Sequence, residues 1–441
     1  MRLRIPTLFV TLALALALAA CAAPRVEHVV LISVDGLPAD ALRDPRIHMP
    51  TIRRLAAEGA TAEGMRCSFP TVTWPNHTTL VTGVRPAKHG VLANSYLDRA
   101  TGKVVPLLPD PLFDKDEIVK VPTVYDVAHR AGLRTAGIIW PATRNAKTLD
   151  WQLPDCGTKE LWDKYGTASW MEELRAEGIW VDQQEPWVKG NGGVQRDWMY
   201  AKAAAHVIRK HRPNLVLLHL VEVDHVEHAK GPRTPDAAWA ASHADDRVRD
   251  VVEAVEAAGL RDRTAIFVVS DHGFFGYTKT IYPNVALKKA GLAGARVVPQ
   301  GGGAFVYVSE KGSLGAVTAA LQAIEGVGAV VDPSGYAKLG IATPDRDPRM
   351  GDLVLSAREG YTFADKATAE AVIEEGPLKG SHGYLPDDPK LHATLVAWGA
   401  GIRPGARLPV IESVDVAPTI ARLLGLRMEN VDGTVREDMI K

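Results

Sequence analysis

Three apolar runs in this chain end on aspartate. The run 26–34 stops at Asp35-Gly36, 215–223 at Asp224, and 264–269 at Ser270-Asp271. Runs this apolar and β-rich, without polar alternation, are strands buried on both faces, as in a parallel sheet covered by helices. Residues 135–140 and 392–398 have the same character. Amphipathic helical patterns separate the runs at 51–58, 123–131, 197–212, 245–258 and 414–424. The reading is an α/β fold with a largely parallel central sheet and helices on both faces. Such sheets bind ligands beyond the carboxyl ends of their strands. All three aspartates fall there, which predicts one composite site.

Five short segments surround that predicted site. They are Ile32-Ser33-Val34-Asp35-Gly36, Phe69-Pro70-Thr71-Val72-Thr73-Trp74-Pro75-Asn76-His77, Asp224-His225-Val226-Glu227-His228, Ser270-Asp271-His272-Gly273 and Gly380-Ser381-His382-Gly383. Taken singly, each has an ordinary structural explanation: a strand-ending turn for Asp35, a helix cap for Thr73, a solvated loop for Asp224 and His228. Together, in this order, they resemble the metal-binding framework of the alkaline phosphatase superfamily, most closely its nucleotide pyrophosphatase/phosphodiesterase branch. The resemblance runs over about residues 26–426 and is weakest at 151–195 and 274–379.

That resemblance implies an alkaline-phosphatase-like fold and two Zn2+ ions. Carried over by motif, Asp224, His228 and His382 would hold one ion. Asp35, Asp271 and His272 would hold the other, with the Thr73 hydroxyl beside it as a further ligand. Carboxylates and imidazoles without cysteine suit zinc and argue against an iron–sulfur or thiolate site. Two metals roughly 3.5–4 Å apart can hold the attacking and leaving oxygens of a phosphoryl displacement. A threonine hydroxyl is a weak nucleophile until a metal lowers its pKa. Pro75 suits the first turn of a helix, whose N-terminal N–H groups would face an incoming phosphate.

The resemblance further makes Thr73 the nucleophile of a covalent threonine intermediate and Asn94 a hydrogen-bond donor to a phosphoryl oxygen. Trp74 stands where the branch usually has phenylalanine; as a stacking face for a nucleobase it would be worth roughly 1–3 kcal/mol. Trp162 and Tyr165 are read as packing residues rather than an opposite wall. His77 and His89 read as structural, and His225 as a neighbour of the ligands rather than one of them.

Thr73-Trp74-Pro75-Asn76-His77 lacks the Cys/Ser-X-Pro-X-Arg context of sulfatases, and phosphoglycerate mutases of the superfamily use serine. Trp140-Pro141-Ala142-Thr143 resembles the Trp-Pro-Gly-Ser of the diesterase branch. The expected function is hydrolysis of phosphodiester or pyrophosphate bonds in nucleotide-like substrates, releasing a nucleoside monophosphate. Lipid or choline-type diesters, phosphomonoesters and phosphonates are the alternatives, and a silent binding module is the reading from another class. Two departures stand out: Glu227 where the family often has glycine, and Thr78 where it often has tyrosine.

Residues 274–379 interrupt the alternation and are expected to form an inserted cap subdomain, with the catalytic core divided into 26–273 and 380–437. With 441 residues and a formal net charge of −1, the chain has no basic excess to hold a polyanion, so nucleic acid is not an expected partner. Arg2 and Arg4, an apolar stretch and Leu18-Ala19-Ala20-Cys21 look like a bacterial lipoprotein signal over residues 1–20. Cys21 would then be lipidated, and Ala22 in place of aspartate points to the outer membrane, facing the periplasm or outside. That compartment permits a disulfide between Cys67 and Cys156.

Overall fold

The computed structural model describes residues 26–108, 113–366 and 368–441; the expected leader and Cys21 lie outside them. Eight strands form the central sheet in the order Ala406–Leu408, Ala60–Ala62, Leu395–Gly399, Thr264–Val269, His28–Val34, Leu215–Leu220, Thr135–Ile138, Trp151–Leu153. The middle strand His28–Val34 runs parallel to both neighbours, pairing Val34 with Leu220 and Ser33 with Val269. Their carboxyl ends therefore coincide, and Asp35 and Asp271 leave the same edge. Only Leu395–Gly399 opposes its neighbours.

Successive residues of the middle strand feed two different cores, because strand side chains alternate between faces. Val30, Ile32 and Val34 pack with the helices Pro50–Glu58, Gly193–Lys210 and Pro235–Ala257. Val29 and Leu31 pack with Thr73–Thr82, Val124–Arg130 and Val416–Leu423. The fold is thus the α/β arrangement expected, with helices on both faces.

Cysteine chemistry departs from the permitted pairing. Cys67 and Cys156 are both buried thiols, Cys67 in the core on one face of the sheet and Cys156 in the core on the other. A disulfide cannot reach through a sheet. Burial, with the Asp271 charge adding to it, pushes the Cys67 thiol up. Both thiols are expected to resist alkylation in the native protein and to react in denaturant without prior reduction, as intact-mass measurement would show.

Residues from Phe275 to Ser381 build two smaller sheets. Phe275–Ile281 lies between Gly360–Phe363 and Ile373–Ser381, and a four-stranded antiparallel sheet runs Ala295–Gln300, Gly303–Val308, Leu353–Ala357, Val327–Val331. They share a core of their own around Val297, Val306, Leu321 and Leu355. The Ile373–Ser381 strand leads back to the main sheet and delivers His382 at its end.

Candidate active site

Strand ends and one short helix assemble the site. After Asp35 the chain turns at Gly36 with φ 74, and a Cβ there would stand 2.7 Å from the Phe274 ring. Glycine meets both demands. The Gly36 N–H donates to Asp271 Oδ1 at 3.1 Å, while Asp271 Oδ2 has no partner. Asp35 is divided in the same way: Oδ2 lies 2.9 Å from His219 Nε2, and Oδ1 is unpartnered. Asp224 and His228 occupy the helix Glu222–Lys230, an i,i+4 pair on one face. The expected strand to Val223 therefore stops at Leu220, and the ligand pair rides on a helix rather than a loop.

Two clusters result. Donor atoms of Asp35, Asp271 and His272 lie within 4.8 Å of one another, and so do those of Asp224, His228 and His382. That is the grouping the motifs implied. His228 Nδ1 donates to the Gly380 carbonyl at 3.1 Å and His382 Nδ1 to the Thr71 carbonyl at 2.9 Å. Both Nε2 lone pairs consequently turn inward, and they face each other at 3.0 Å. Asp224 Oδ1 closes the group, 3.3 Å from one Nε2 and 3.5 Å from the other. Two lone pairs so placed repel unless they share a proton or a metal cation, and the Asp224 charge beside His228 outweighs burial and raises that imidazole. In the second cluster His272 Nε2 lies 3.4 Å from Asp35 Oδ1 and 3.2 Å from Asp271 Oδ2. Neither ring nitrogen of this buried histidine has a hydrogen-bond partner.

Electrostatics point the same way. Burial, then the Asp224 charge, pushes the Asp35 carboxyl well above its ordinary range; burial and then Asp35 do the same to Asp271. Burial also opposes the Asp224 anion, but the charges of His228, His382 and His272 outweigh it and hold that carboxyl low. Burial, with His228 adding, depresses His382 to about 4. Three carboxylates crowded out of water resist ionising together unless cations neutralise them. The unpartnered oxygens, the inward lone pairs and the mixed donor set all fit a pair of divalent cations.

Thr73 opens the helix Thr73–Thr82, behind Val72 as N-cap. Its loop touches both clusters: the Thr71 carbonyl holds His382, and His77 Nδ1 lies 2.9 Å from the Thr73 carbonyl and 3.5 Å from Asp271 Oδ2. Asn94 Oδ1 accepts the Trp74 N–H at 3.1 Å, which leaves the Asn94 amide hydrogens for a ligand. Trp74 departs from its expected role. Its indole is wholly buried against Val91, Leu107, Ile118, Val119 and Ala142, so it shows no stacking face at the surface; its backbone orients Asn94 instead. Trp162 is buried too, its Nε1 donating to the Pro154 carbonyl. His89 and His225 stay outside the clusters, His225 lying 3.0 Å from Arg196 Nη2.

Sequence reasoning missed two supports. His219 is the one polar residue of Leu215–Leu220, and a polar side chain inside so apolar a strand must find a partner. It bridges Asp35 to the carbonyl of Ile139, a β-branched residue held at φ 56. Such a conformer costs on the order of 1–3 kcal/mol. Asp197 is the second, buried on the apolar face of Gly193–Lys210. It accepts the N–H groups of Val221 (2.7 Å) and Glu222 (3.1 Å), capping the ligand helix from outside.

Asp197→Ala is expected to weaken metal binding about 10- to 100-fold and to cost about 1–3 kcal/mol of stability, read by chelator competition and thermal melting. Burial, opposed by those two N–H groups, pushes the Asp197 carboxyl up to about 7, against about 4 in an unfolded chain. Between these values the folded chain holds a proton that the unfolded chain has released. This contribution is full below about 4 and is lost as pH rises toward about 7. Asp197→Asn should flatten that part of the stability–pH profile.

A third carboxylate–imidazole group, Glu173, His206 and His211, does not suit a metal. Trp170 Nε1 donates to His206 Nδ1 at 3.2 Å, which puts the ring proton on Nε2, the nitrogen a metal would need. The Lys210 ammonium also lies 3.4 Å from Glu173 Oε2. This is an ion-pair network.

A mostly parallel sheet with carboxylate–imidazole clusters beyond its strand ends defines an alkaline-phosphatase-like protein. The architecture matches that of murine ectonucleotide pyrophosphatase/phosphodiesterase 5, with a TM-score of 0.72 over 94% of this chain and all (100%) of that one, at 21% identity. The family model for type I phosphodiesterase/nucleotide pyrophosphatase matches residues 29–385, and the chain belongs to that family. Among its relatives, the bis(5'-adenosyl)-triphosphatase of Mus musculus is 24% identical over 94% of this chain and 80% of that protein. Ectonucleotide pyrophosphatase/phosphodiesterase family member 7 of Homo sapiens is 24% identical over 98% and 88%. The murine protein 5 has also been solved in an inactive threonine-to-alanine form in complex with AMP.

Proposed function

We propose that this chain hydrolyses phosphodiester or pyrophosphate bonds in nucleotide-like substrates, with Thr73 as nucleophile, and releases a nucleoside monophosphate. One observation carries the reading: Thr73 lies between residues that meet both clusters, the Thr71 carbonyl accepting from His382 and the His77 ring packing 3.5 Å from Asp271. Relatives named for bis(5'-adenosyl) triphosphate hydrolysis and a neighbour bound to AMP support the nucleotide.

Asp224, His228 and His382 would hold one Zn2+ and Asp35, Asp271, His272 and the Thr73 hydroxyl the other. Bound there, the ions would supply positive charge to the phosphoryl oxygens and acidify that hydroxyl. The chain's own groups do the positioning. N–H groups at the start of Thr73–Thr82 face the phosphate, and the Asn94 amide donates to a phosphoryl oxygen. As the Thr73 oxygen bonds to phosphorus, the bond to the leaving oxygen breaks. Water then attacks the phosphorus of the nucleotidyl-threonine diester, restoring the Thr73 hydroxyl and releasing the nucleoside monophosphate. Residues 274–379 act in this reading as the cap that brings His382 to the site. Cys21, lipidated, would tether the enzyme to the outer membrane.

The test compares kcat/KM on thymidine 5'-monophosphate p-nitrophenyl ester, bis-p-nitrophenyl phosphate and p-nitrophenyl phosphate. Preference for the nucleotide ester by about tenfold or more is expected, equivalent to ~1.4 kcal/mol of transition-state binding. Preference for the monoester would overturn the substrate class, and equal rates on both diesters would remove the nucleotide from it.

A further inference from the structure

The sheet edge opposite the metal clusters is basic. Strands His28–Val34, Leu215–Leu220, Thr264–Val269 and Thr135–Ile138 are parallel, so the turns that lead into them lie together at one end of the molecule. Hydrogen bonds stitch those turns into one surface. The Asn214 N–H donates to the Arg134 carbonyl and the Glu27 N–H to the Arg263 carbonyl, while the Asn214 side-chain amide donates to the Glu27 carbonyl at 2.9 Å. Residues 130–134, 209–214 and 261–263 carry seven arginines and lysines but one carboxylate, in a chain of net charge −1. Positive charge is thus gathered at this edge, and the three aspartates of the metal clusters stand at the other.

Much of that charge is unspent. Arg263 pairs with Glu27 at 2.9 Å, Lys210 with Glu173 at 3.4 Å and Arg261 with Glu256 at 3.7 Å. Arg130, Arg134, Arg209 and Arg212 are exposed and make no ion pair among the described residues. Arg134 lies over the Trp151 ring, 5.5 Å from its centroid, and Trp151 stacks on His211 at 4.7 Å, which joins two of the turns side by side. A cationic face of this kind attracts a polyanion. Where the chain enters the face selects which one. Val26 leads directly into His28–Val34, and only residues 22–25 separate it from Cys21. Five residue steps reach at most roughly 18 Å. A lipid on Cys21, as proposed above, would hold this edge and no other against a bilayer.

We propose that the N-terminal edge of the sheet is a docking surface for an anionic phospholipid bilayer. The arginines meet headgroup phosphates, and cations held near a membrane surface add to the grip of a lipid tether. The strand His28–Val34, at about 3.3 Å per residue, then holds the metal clusters roughly 20 Å above the docked edge. The site opens away from the membrane, toward substrates in water. The tether rests on the reading of Cys21; the surface rests on neither that reading nor the metal clusters.

Vesicle sedimentation of the chain from residue 22 onward tests this, since every described strand and helix lies within it and no lipid decides the outcome. Binding to phosphatidylglycerol/phosphatidylethanolamine vesicles should be at least about tenfold tighter than to phosphatidylcholine vesicles and should fall steeply with salt. Arg130→Gln, Arg134→Gln, Arg209→Gln and Arg212→Gln together should lower it at least about tenfold. The same charge removed from the inserted sheets, by Lys288→Gln, Lys289→Gln, Lys311→Gln and Lys338→Gln, should change it by less than about twofold. No binding to the anionic vesicles, equal binding to both kinds, or equal losses in the two variants would overturn the proposal. The mass of the native protein reads the lipid on Cys21 separately, so a missing lipid and a missing surface are told apart.

Discussion

Thr73→Ala is expected to lower kcat/KM on a nucleotide diester by at least ~10^3-fold while leaving the fold intact. The position makes the loss chemical rather than structural. Thr73 is the first residue of its helix, and the capping position belongs to Val72, which makes no side-chain cap. Deleting the hydroxyl therefore removes no helix-capping bond. The loop is fixed by other side chains instead: the Asn76 amide accepts the Ser68 N–H and donates to the Pro70 and Val72 carbonyls, and the Thr71 hydroxyl donates to the Tyr384 carbonyl and accepts the Gly383 N–H. Steady-state rates paired with a thermal melt separate the two effects. An unchanged melting temperature with the rate lost is the predicted pair, and Thr73→Ser should recover part of the rate.

Chelation is expected to produce the largest change in stability. Asp35, Asp224 and Asp271 are packed together with unpartnered oxygens, and two Nε2 lone pairs oppose each other at 3.0 Å. Bound cations would relieve all of these contacts at once. A ligand present at a thousandfold excess over its Kd stabilises the native state by about 4 kcal/mol. Stripping the protein at neutral pH should thus lower its melting temperature by several degrees, recovered on adding Zn2+ but not Mg2+, which prefers oxygen ligands and octahedral geometry. Asp224→Ala should retain metal in one cluster only and melt between the loaded and stripped proteins. A melting curve indifferent to chelator would contradict the metal assignment.

Much of this architecture could be read from the chain because burial writes itself into composition. The runs around Val30, Leu217 and Phe267 are apolar on both faces since each is covered twice. The three aspartates that end or follow them mark the same sheet edge. Helix boundaries at 51–58 and 123–131 agree with the observed Pro50–Glu58 and Val124–Arg130, where proline at the first turn and the Thr123 cap leave local signals. Glu222–Lys230 escaped because its stripe is too short and polar to show a period; its start is fixed from a distance by Asp197. His219 and Asp197 are legible only as polar residues at apolar positions, which mark that a partner exists without naming it. The position of Trp74 after Thr73 is legible in the sequence, whereas its exposure depends on how the region around Leu107 packs over it. Cys67 and Cys156 illustrate the same limit: spacing does not report which side of a sheet a residue occupies.

The most direct measurement is a Zn2+ titration of the stripped protein, followed by hydrolysis of thymidine 5'-monophosphate p-nitrophenyl ester. If each of the two clusters takes one ion, activity should rise to a break at two equivalents per chain and be absent from Thr73→Ala at every point. Full activity without added metal, or a break at one equivalent, would contradict the two-cluster account.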